Sequence, residues 1–166
     1  MNNIKEYFNN NKNTLNIEIH NEHLFNLFVD IYKWADESTS DQKLRPEQQK
    51  FRDDIINRDS RCIVSNFAST ECQACHIVPV EDGGNYDLNN GVLLNACLHI
   101  TFDKYLWSIN PDTLRIDVNS NDKNIVGSVI NFVNTKPNIK INDSLKYNLK
   151  KRWEKYIEQK KKSQTN

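Results

Sequence analysis

One stretch, from Cys75 to about Leu106, constrains the fold of this chain more than any other part of its 166 residues. A short apolar run at Cys75–Val80 comes first, and the turn sequence DGGN follows at 82–85. A second apolar run, Gly91–Leu94, leads directly to Asn95, a residue type favoured at a helix N-cap. The order predicts two strands, joined by a loop, and then a helix that ends near residue 106.

Four residues in this stretch have side chains suited to chemistry. His76 lies in the first predicted strand, and Asn90 lies just before the second. His99 and Asp103 are four residues apart in the predicted helix, so they share one helix face and can grip one metal ion. An imidazole held opposite can activate water, while an amide can tie the loop to itself. This layout suits hydrolysis of a phosphodiester bond with one metal ion.

The residues around these positions resemble the HNH endonuclease family, the ββα-metal nucleases. The segments ACHIVP, NGVLLN and LHITFD are similar to the A-x-H-I-x-P, N-G-L-L-L and L-H-x-L-F-D motifs of one HNH subfamily. The upstream segment QQKFRDDIINRDSRCIVSN is similar to its lead-in, and the resemblance covers about residues 45–118. It implies an α+β fold, with a ββα-metal core and flanking helices.

The resemblance also implies a role for each matching residue. His76 corresponds to the general base that takes a proton from the attacking water, and Asn90 to the residue that holds the loop and orients the base. His99 corresponds to the metal-binding histidine, and Asp103 stands where related enzymes place a further ligand. A divalent metal, with Mg²⁺ expected first and Mn²⁺, Ni²⁺ or Zn²⁺ as alternatives, would polarise the phosphate. The expected products are a 3′-hydroxyl and a 5′-phosphate.

Cysteine at position 75 departs from the family pattern, in which an acidic residue or a histidine often precedes the base. A thiolate is a soft ligand that suits Zn²⁺ better than Mg²⁺. Cys75 is therefore predicted either as a third metal ligand or as a packing residue. A structural zinc held by Cys62, Cys72, Cys75 and Cys97 is an alternative, although only two of these form a close pair.

Charge alone does not identify a partner, because 22 basic and 22 acidic residues balance. The last 23 residues are nevertheless basic, with eight Lys and Arg against two Asp and Glu. The family resemblance implies that the partner is DNA, and double-stranded DNA is expected first. The predicted DNA contacts are Arg52, Lys104, Lys151 and Arg152. Alternatively, Arg52 pairs with a neighbouring aspartate, and the basic tail is a solvated face.

The chain is predicted to have three parts. Residues 1–44 form an N-terminal helical arm, with apolar positions between 19 and 34 that fit a helix. Residues 45–118 form the nuclease core, and residues 119–166 form a helical extension with a basic tail. A single site makes one nick, so cutting both strands would require a homodimer.

Further elements are predicted around the central stretch. Pro46 fits the first turn of a helix that ends near residues 58–60. Short strands are predicted at Cys62–Asn66 and Thr113–Val118, and Asn142 or Asp143 is predicted to cap the last helix.

Two broader expectations follow from hydropathy. No apolar run approaches the roughly 20 residues of a membrane span, and the N-terminus lacks the apolar stretch of a signal peptide. We therefore expect an intracellular protein, cytoplasmic if bacterial, with no membrane partner. Two other functions stay open on the same fold: a DNA-binding module that does not cleave, and an interaction protein built around a structural zinc.

Overall fold

The computed structural model describes residues 46–119 and 127–164, all of which belong to the unit Lys43–Asn166. The helix predicted between residues 19 and 34 lies outside the described residues. The fold is α+β, as predicted. The boundaries of the three predicted parts stay predictions.

The described ranges contain four α-helices, three short 3₁₀ helices and four short strands, and the α-helices and strands are numbered below. In chain order these are α1 (Pro46–Asp59), β1 (Cys72–His76), β2 (Gly91–Asn95), α2 (Ala96–Asp103), β3 (Trp107–Ile109), β4 (Ile116–Val118), α3 (Gly127–Ile130) and α4 (Asp143–Lys162). β1 pairs antiparallel with β2, and β3 pairs antiparallel with β4. β1, β2 and α2 together give the predicted ββα order.

Helix α1 covers one face of the β1–β2 hairpin. Phe51 and Ile55, four residues apart on one helix face, are both buried. Gly91 begins β2 beneath them, and a Cβ atom there would stand 2.5 Å from both Ile55 Cδ1 and Phe51 Cζ. Only glycine lets the helix approach the strand this closely, so residue 91 fixes how α1 sits on the hairpin.

The end of α1 is tied to β2 by polar contacts. The Asp59 carboxylate accepts the main-chain N–H of Leu93 at 2.9 Å. Arg58 donates to the carbonyl oxygens of Leu88 at 2.7 Å and Gly91 at 2.8 Å. These bonds hold the second strand in place from outside the sheet.

The first strand lies earlier in the chain than predicted. The sequence suggests Cys75–Val80, but the ladder with β2 runs over Cys72–His76. The physical reason lies at Val78, whose N–H and carbonyl are bonded to the side chain of Asn90 and are not available to the ladder. Pro79 follows and has no N–H to donate.

A strand at Cys62–Asn66 was also a wrong prediction. The segment is a tight turn in which the Asn66 N–H bonds to the Cys62 carbonyl at 3.0 Å. Asn66 has a φ of +61°, in the left-handed region that asparagine tolerates. The later strand is shorter than predicted, since only Ile116–Val118 of Thr113–Val118 is paired.

Helix α2 starts as predicted and ends earlier. The Asn95 side chain accepts the Leu98 N–H at 3.0 Å, which makes it the N-cap. The helix stops at Asp103 instead of Leu106, because Tyr105 turns the chain with a φ of +54°. The residues after the turn form β3, which was not predicted.

The long helix α4 closes the far side of the core. Of the two predicted N-cap candidates, Asn142 caps the helix, and its side chain accepts the Leu145 N–H at 2.9 Å. Leu145, Leu149 and Tyr156 are buried along one face. Within the described ranges, no helix is long and apolar enough to cross a bilayer.

Candidate active site

Three side chains with metal-binding atoms meet where β1 lies beside α2. Cys75 Sγ is 3.7 Å from Asp103 Oδ1, and His99 Nε2 is 3.2 Å from Asp103 Oδ2. One ligand atom from each residue lies within 4.8 Å of the others. His99 and Asp103 are one helical turn apart, so α2 supplies both from one face. Sulfur, nitrogen and oxygen donors at this spacing fit a borderline-soft divalent ion such as Zn²⁺.

The thiol of Cys75 is fully buried. Burial raises its pKa well above the ordinary value, and the nearby Asp103 carboxylate raises it further. The free protein therefore holds a neutral thiol at this position. A bound divalent cation reverses that preference, because a metal ion binds the thiolate and displaces its proton.

His76 follows Cys75 on β1, and successive strand residues point to opposite faces. Its ring stacks on Phe51, with centroids 4.3 Å apart and planes within 10°, and meets Tyr86 edge-on at 5.2 Å. Its Nε2 atom is buried and has no hydrogen-bond partner among the described residues. Burial lowers the pKa of His76, so the imidazole is neutral near pH 7 and can accept a proton. The nearby Asp103 carboxylate opposes that shift.

A cavity of about 170 Å³ opens beside His76. Its lining residues are aromatic or polar apart from Ala74: Gln48, Phe51, Arg52, His76 and Tyr86. Arg52 has no hydrogen-bond or ion-pair partner within the part of the chain that the structure describes, and the neighbouring Asp53 accepts from Gln49 instead. A cation and a neutral base thus share one small cavity.

Asn90 is 1% exposed and closes the loop that follows β1. Its Oδ1 accepts the Val78 N–H at 2.9 Å, and its Nδ2 donates to the carbonyls of Val78 and Asn85 at 2.9 Å each. Its own carbonyl accepts the Ile77 N–H at 2.8 Å. The backbone immediately after His76 is therefore fixed by one buried amide.

These residues lie inside a segment with a family match. A family model described as HNH endonuclease matches residues 62–110, from the turn before β1 to the end of β3. The chain carries an HNH endonuclease domain. The match includes Cys75, His76, Asn90, His99 and Asp103. The narrower subfamily suggested by the motifs stays a prediction, and no curated protein matches the chain.

Helices α1 and α4 lie outside the segment that matches the HNH domain, and three of the four predicted DNA contacts belong to them. Arg52 lines the cavity at His76. Lys151 is exposed, 4.8 Å from the centre of the Tyr147 ring, and lines a groove of about 510 Å³ beside the loop at 83–89. Lys104, the C-cap of α2, is exposed next to Asp103. Arg52, Lys104 and Lys151 stay predicted DNA contacts.

The prediction that Arg152 contacts DNA is wrong, because the side chain is 1% exposed and faces the HNH domain. Its Nη1 donates to the Ile77 carbonyl at 3.0 Å and its Nη2 donates to the Phe102 carbonyl. Burial lowers its pKa to about 10, so it is still a cation at neutral pH. The sequence holds one signal that favours burial: residue 152 follows Leu149 by three and precedes Tyr156 by four, so it shares the helix face of two apolar residues.

The other cysteines do not join the cluster. Cys62 and Cys72 are buried, and Cys72 Sγ donates to the Ala68 carbonyl at 3.0 Å. Burial raises the pKa of Cys72 to about 11. Cys97 lies on α2 and is partly exposed. Over residues 46–119 and 127–164, the structure does not gather the four cysteines around one point, which disfavours the structural-zinc alternative.

Proposed function

We propose that this chain is a metal-dependent DNA endonuclease that hydrolyses phosphodiester bonds and leaves a 3′-hydroxyl and a 5′-phosphate. One observation carries the proposal. Two consecutive residues of β1 supply a possible metal ligand, Cys75 Sγ, and a buried imidazole nitrogen, His76 Nε2, that has no hydrogen-bond partner among the described residues. The charges of Asp103 and His99 both act on the pKa of His76, so the base and the ligand cluster lie close in space although Cys75 and His76 point to opposite faces of the strand. Rigid secondary structure holds both groups in place.

His76 is the proposed general base. Its neutral ring takes a proton from the attacking water, and the lowered pKa keeps it ready for this at neutral pH. The Phe51 stack and the Tyr86 edge contact fix the plane of the ring. Asn90 holds the main chain at Ile77 and Val78, so the strand end that carries the base does not shift.

Cys75, His99 and Asp103 are the proposed ligands of one divalent ion. When bound, such an ion polarises the scissile phosphate and stabilises charge on the leaving oxygen. The sulfur donor favours Zn²⁺ or another thiophilic ion over the Mg²⁺ that the family resemblance suggests first. Mn²⁺ and Ni²⁺ remain within the range of ions to test.

The proposed partner is double-stranded DNA. Arg52 is placed to contact a backbone phosphate next to the base, because its guanidinium is unpaired within the described ranges and shares the cavity of His76. Lys104 and Lys151 are exposed and are proposed to contact phosphates further away. One such site cuts one strand, so double-strand cleavage would require two copies of the chain.

The test is cleavage of supercoiled plasmid by the full chain with Mg²⁺, Mn²⁺, Ni²⁺ or Zn²⁺, with and without EDTA. We expect nicking with at least one ion and none with EDTA. His76→Ala should lower the rate by about 10²-fold or more, the usual contribution of a general base. Lys150→Ala, an exposed position of α4, is the matched surface control and should cut like wild type. Ligation of the products should show 5′-phosphate ends.

Two results would contradict the proposal in different ways. Retained DNA binding without cleavage by any ion would favour the non-cleaving module. Equal cleavage by wild type and His76→Ala would remove His76 from the base role. Since the His76 ring packs on Phe51, the thermal unfolding of His76→Ala is measured alongside, so that a loss of fold is not mistaken for a loss of base.

A further inference from the structure

Arg152 joins the two elements that carry the proposed base and metal ligands. Its Nη1 donates a hydrogen bond to the carbonyl of Ile77, the residue after His76. Its Nη2 donates a hydrogen bond to the carbonyl of Phe102, the residue before Asp103. The Arg152 guanidinium therefore bonds to the main chain directly beside His76 of β1 and directly beside Asp103 of α2.

The guanidinium is held firmly in this place. Its carbon lies 3.3 Å from the centre of the Phe102 ring and 4.5 Å from the centre of the Tyr105 ring. The Phe102 carbonyl lies in the last turn of α2, at the negative end of the helix dipole, and it accepts the Tyr105 N–H at 2.8 Å as well as the Arg152 bond. A planar cation suits this position, because it donates in two directions and stacks on aromatic faces at the same time.

We propose that Arg152 is a positioning residue for the nuclease site: it fixes the distance between the His76 end of β1 and the Asp103 end of α2. The proposal rests on the proposed function. It assigns no contact with DNA to Arg152, because the side chain is buried beneath α4. It also explains why one arginine of the basic helix faces inward while the lysines around it remain outside.

Replacing Arg152 with lysine distinguishes a positioning role of the guanidinium from an effect of its positive charge alone. An ammonium group keeps the positive charge but is a compact point donor without the planar fork. It cannot reproduce two diverging bonds to the Ile77 and Phe102 carbonyls together with stacking on Phe102. Arg152→Lys is therefore the informative variant, and Arg152→Met removes the charge as well.

The experiment compares wild type, Arg152→Lys, Arg152→Met and Leu149→Ala in three measurements. These are Co²⁺ affinity from the absorption of the bound ion, kcat and KM for plasmid nicking, and the thermal unfolding midpoint. Leu149 is fully buried on the same face of α4, so Leu149→Ala is a control for a general loss of stability. All activity and binding assays are run well below the lowest midpoint.

We expect both Arg152 variants to lose about tenfold or more in kcat and in Co²⁺ affinity, as for other groups that orient metal ligands. KM should stay close to wild type, and Leu149→Ala should keep kcat and Co²⁺ affinity despite a lower midpoint. An equal loss in Leu149→Ala would reduce Arg152 to a packing residue and overturn the proposal. A raised KM with unchanged kcat would also overturn it, because that pattern indicates a DNA contact.

The Co²⁺ titration contains no DNA, so it tests the positioning role even if the chain does not cleave. A wild-type protein that binds Co²⁺ but leaves every plasmid intact would contradict the proposed nuclease function. In that case a loss of Co²⁺ affinity in Arg152→Lys, with Leu149→Ala unaffected, would still support Arg152 as the residue that spaces β1 and α2.

Discussion

The Asn90 side chain and the Val78 main chain exchange two hydrogen bonds, each 2.9 Å long, across the loop between β1 and β2. The pair resembles one rung of an antiparallel sheet, in which a side-chain amide replaces a peptide group. Because of this pair the strand ends at His76, and the base stands at the edge of the sheet beside the cavity.

Asn90→Asp tests this relationship. The change replaces the Nδ2 donor with an oxygen that faces the buried Val78 carbonyl and the partly buried Asn85 carbonyl, so both acceptors lose their donor. We expect the free energy of unfolding to fall by about 2 kcal/mol or more, since each unsatisfied buried group costs roughly 1–3 kcal/mol. Urea unfolding measures it. Asn85→Ala keeps its main-chain carbonyl and should stay within about 0.5 kcal/mol; equal losses would contradict the prediction.

Gly84→Ala should disturb the same loop by a different route. A Cβ at residue 84 would overlap the Val78 carbonyl oxygen and stand 2.8 Å from Asn90 Nδ2. Overpacking of this kind costs about 1–3 kcal/mol, and we expect plasmid cleavage to weaken with it because the strand end must shift. Gly83→Asn is the control: residue 83 has space around it and a φ of +84°, which asparagine tolerates. A control as unstable as Gly84→Ala would refute this steric explanation.

Cys75→Asp should change which ions the site prefers. The thiol lies in the ligand cluster, and a carboxylate in its place gives oxygen and nitrogen donors only. We expect Zn²⁺ and Co²⁺ affinity to fall by about tenfold or more relative to Mn²⁺, because thiolate selects the softer ions. In the Co²⁺ protein, the sulfur-to-metal absorption band should disappear. Cys97→Ser changes a thiol of α2 outside the cluster and should keep the band; a band that survives in Cys75→Asp would exclude sulfur ligation.

Arg52→Gln should weaken DNA binding without sequence preference. Removing one phosphate contact lowers affinity to all sequences alike and reduces the slope of log affinity against log salt by about 1. Lys50→Met removes a charge from the same helix at a more exposed position that pairs with Asp54. It should leave the slope nearly unchanged. Fluorescence anisotropy at several salt concentrations measures both, and matching slopes would remove Arg52 from the interface.

Lys155→Met should destabilise the protein at neutral pH but not in acid. Lys155 pairs with Asp82, and together with Tyr105 it lowers the pKa of that carboxyl below its ordinary value of 3.8. Because the pKa of Asp82 is lower in the folded state, the ionised carboxylate stabilises the fold at pH values above 3.8. This contribution is lost as the pH falls through the folded-state pKa. We expect a difference of about 0.2–1 kcal/mol at pH 7, typical of surface ion pairs.

Urea unfolding at pH 7 and at a pH well below 3.8 measures this dependence. Lys150→Met is the control, because residue 150 is exposed on the same helix. A difference that persists unchanged in acid would show that the Asp82 carboxylate is not its source.

The sequence alone determined the order of elements around the site. Local signals carried these predictions: Asn95 caps α2, Pro46 fits the first turn of α1, and the DGGN loop separates two apolar runs. The spacing of His99 and Asp103 places both on one face of any helix, so their meeting needed no tertiary information. The family match at 62–110 agrees with the resemblance read from the same residues.

The tertiary structure decided what depends on contacts between distant residues. The end of β1 follows from Asn90, which is 12 positions from Val78 and takes over its hydrogen bonds. Arg152 looked like part of a basic surface, but burial against Phe102 and the Ile77 carbonyl makes it part of the core. A sequence records which groups are charged or polar, whereas their partners, and so the free energy of burying them, are fixed only when the chain folds.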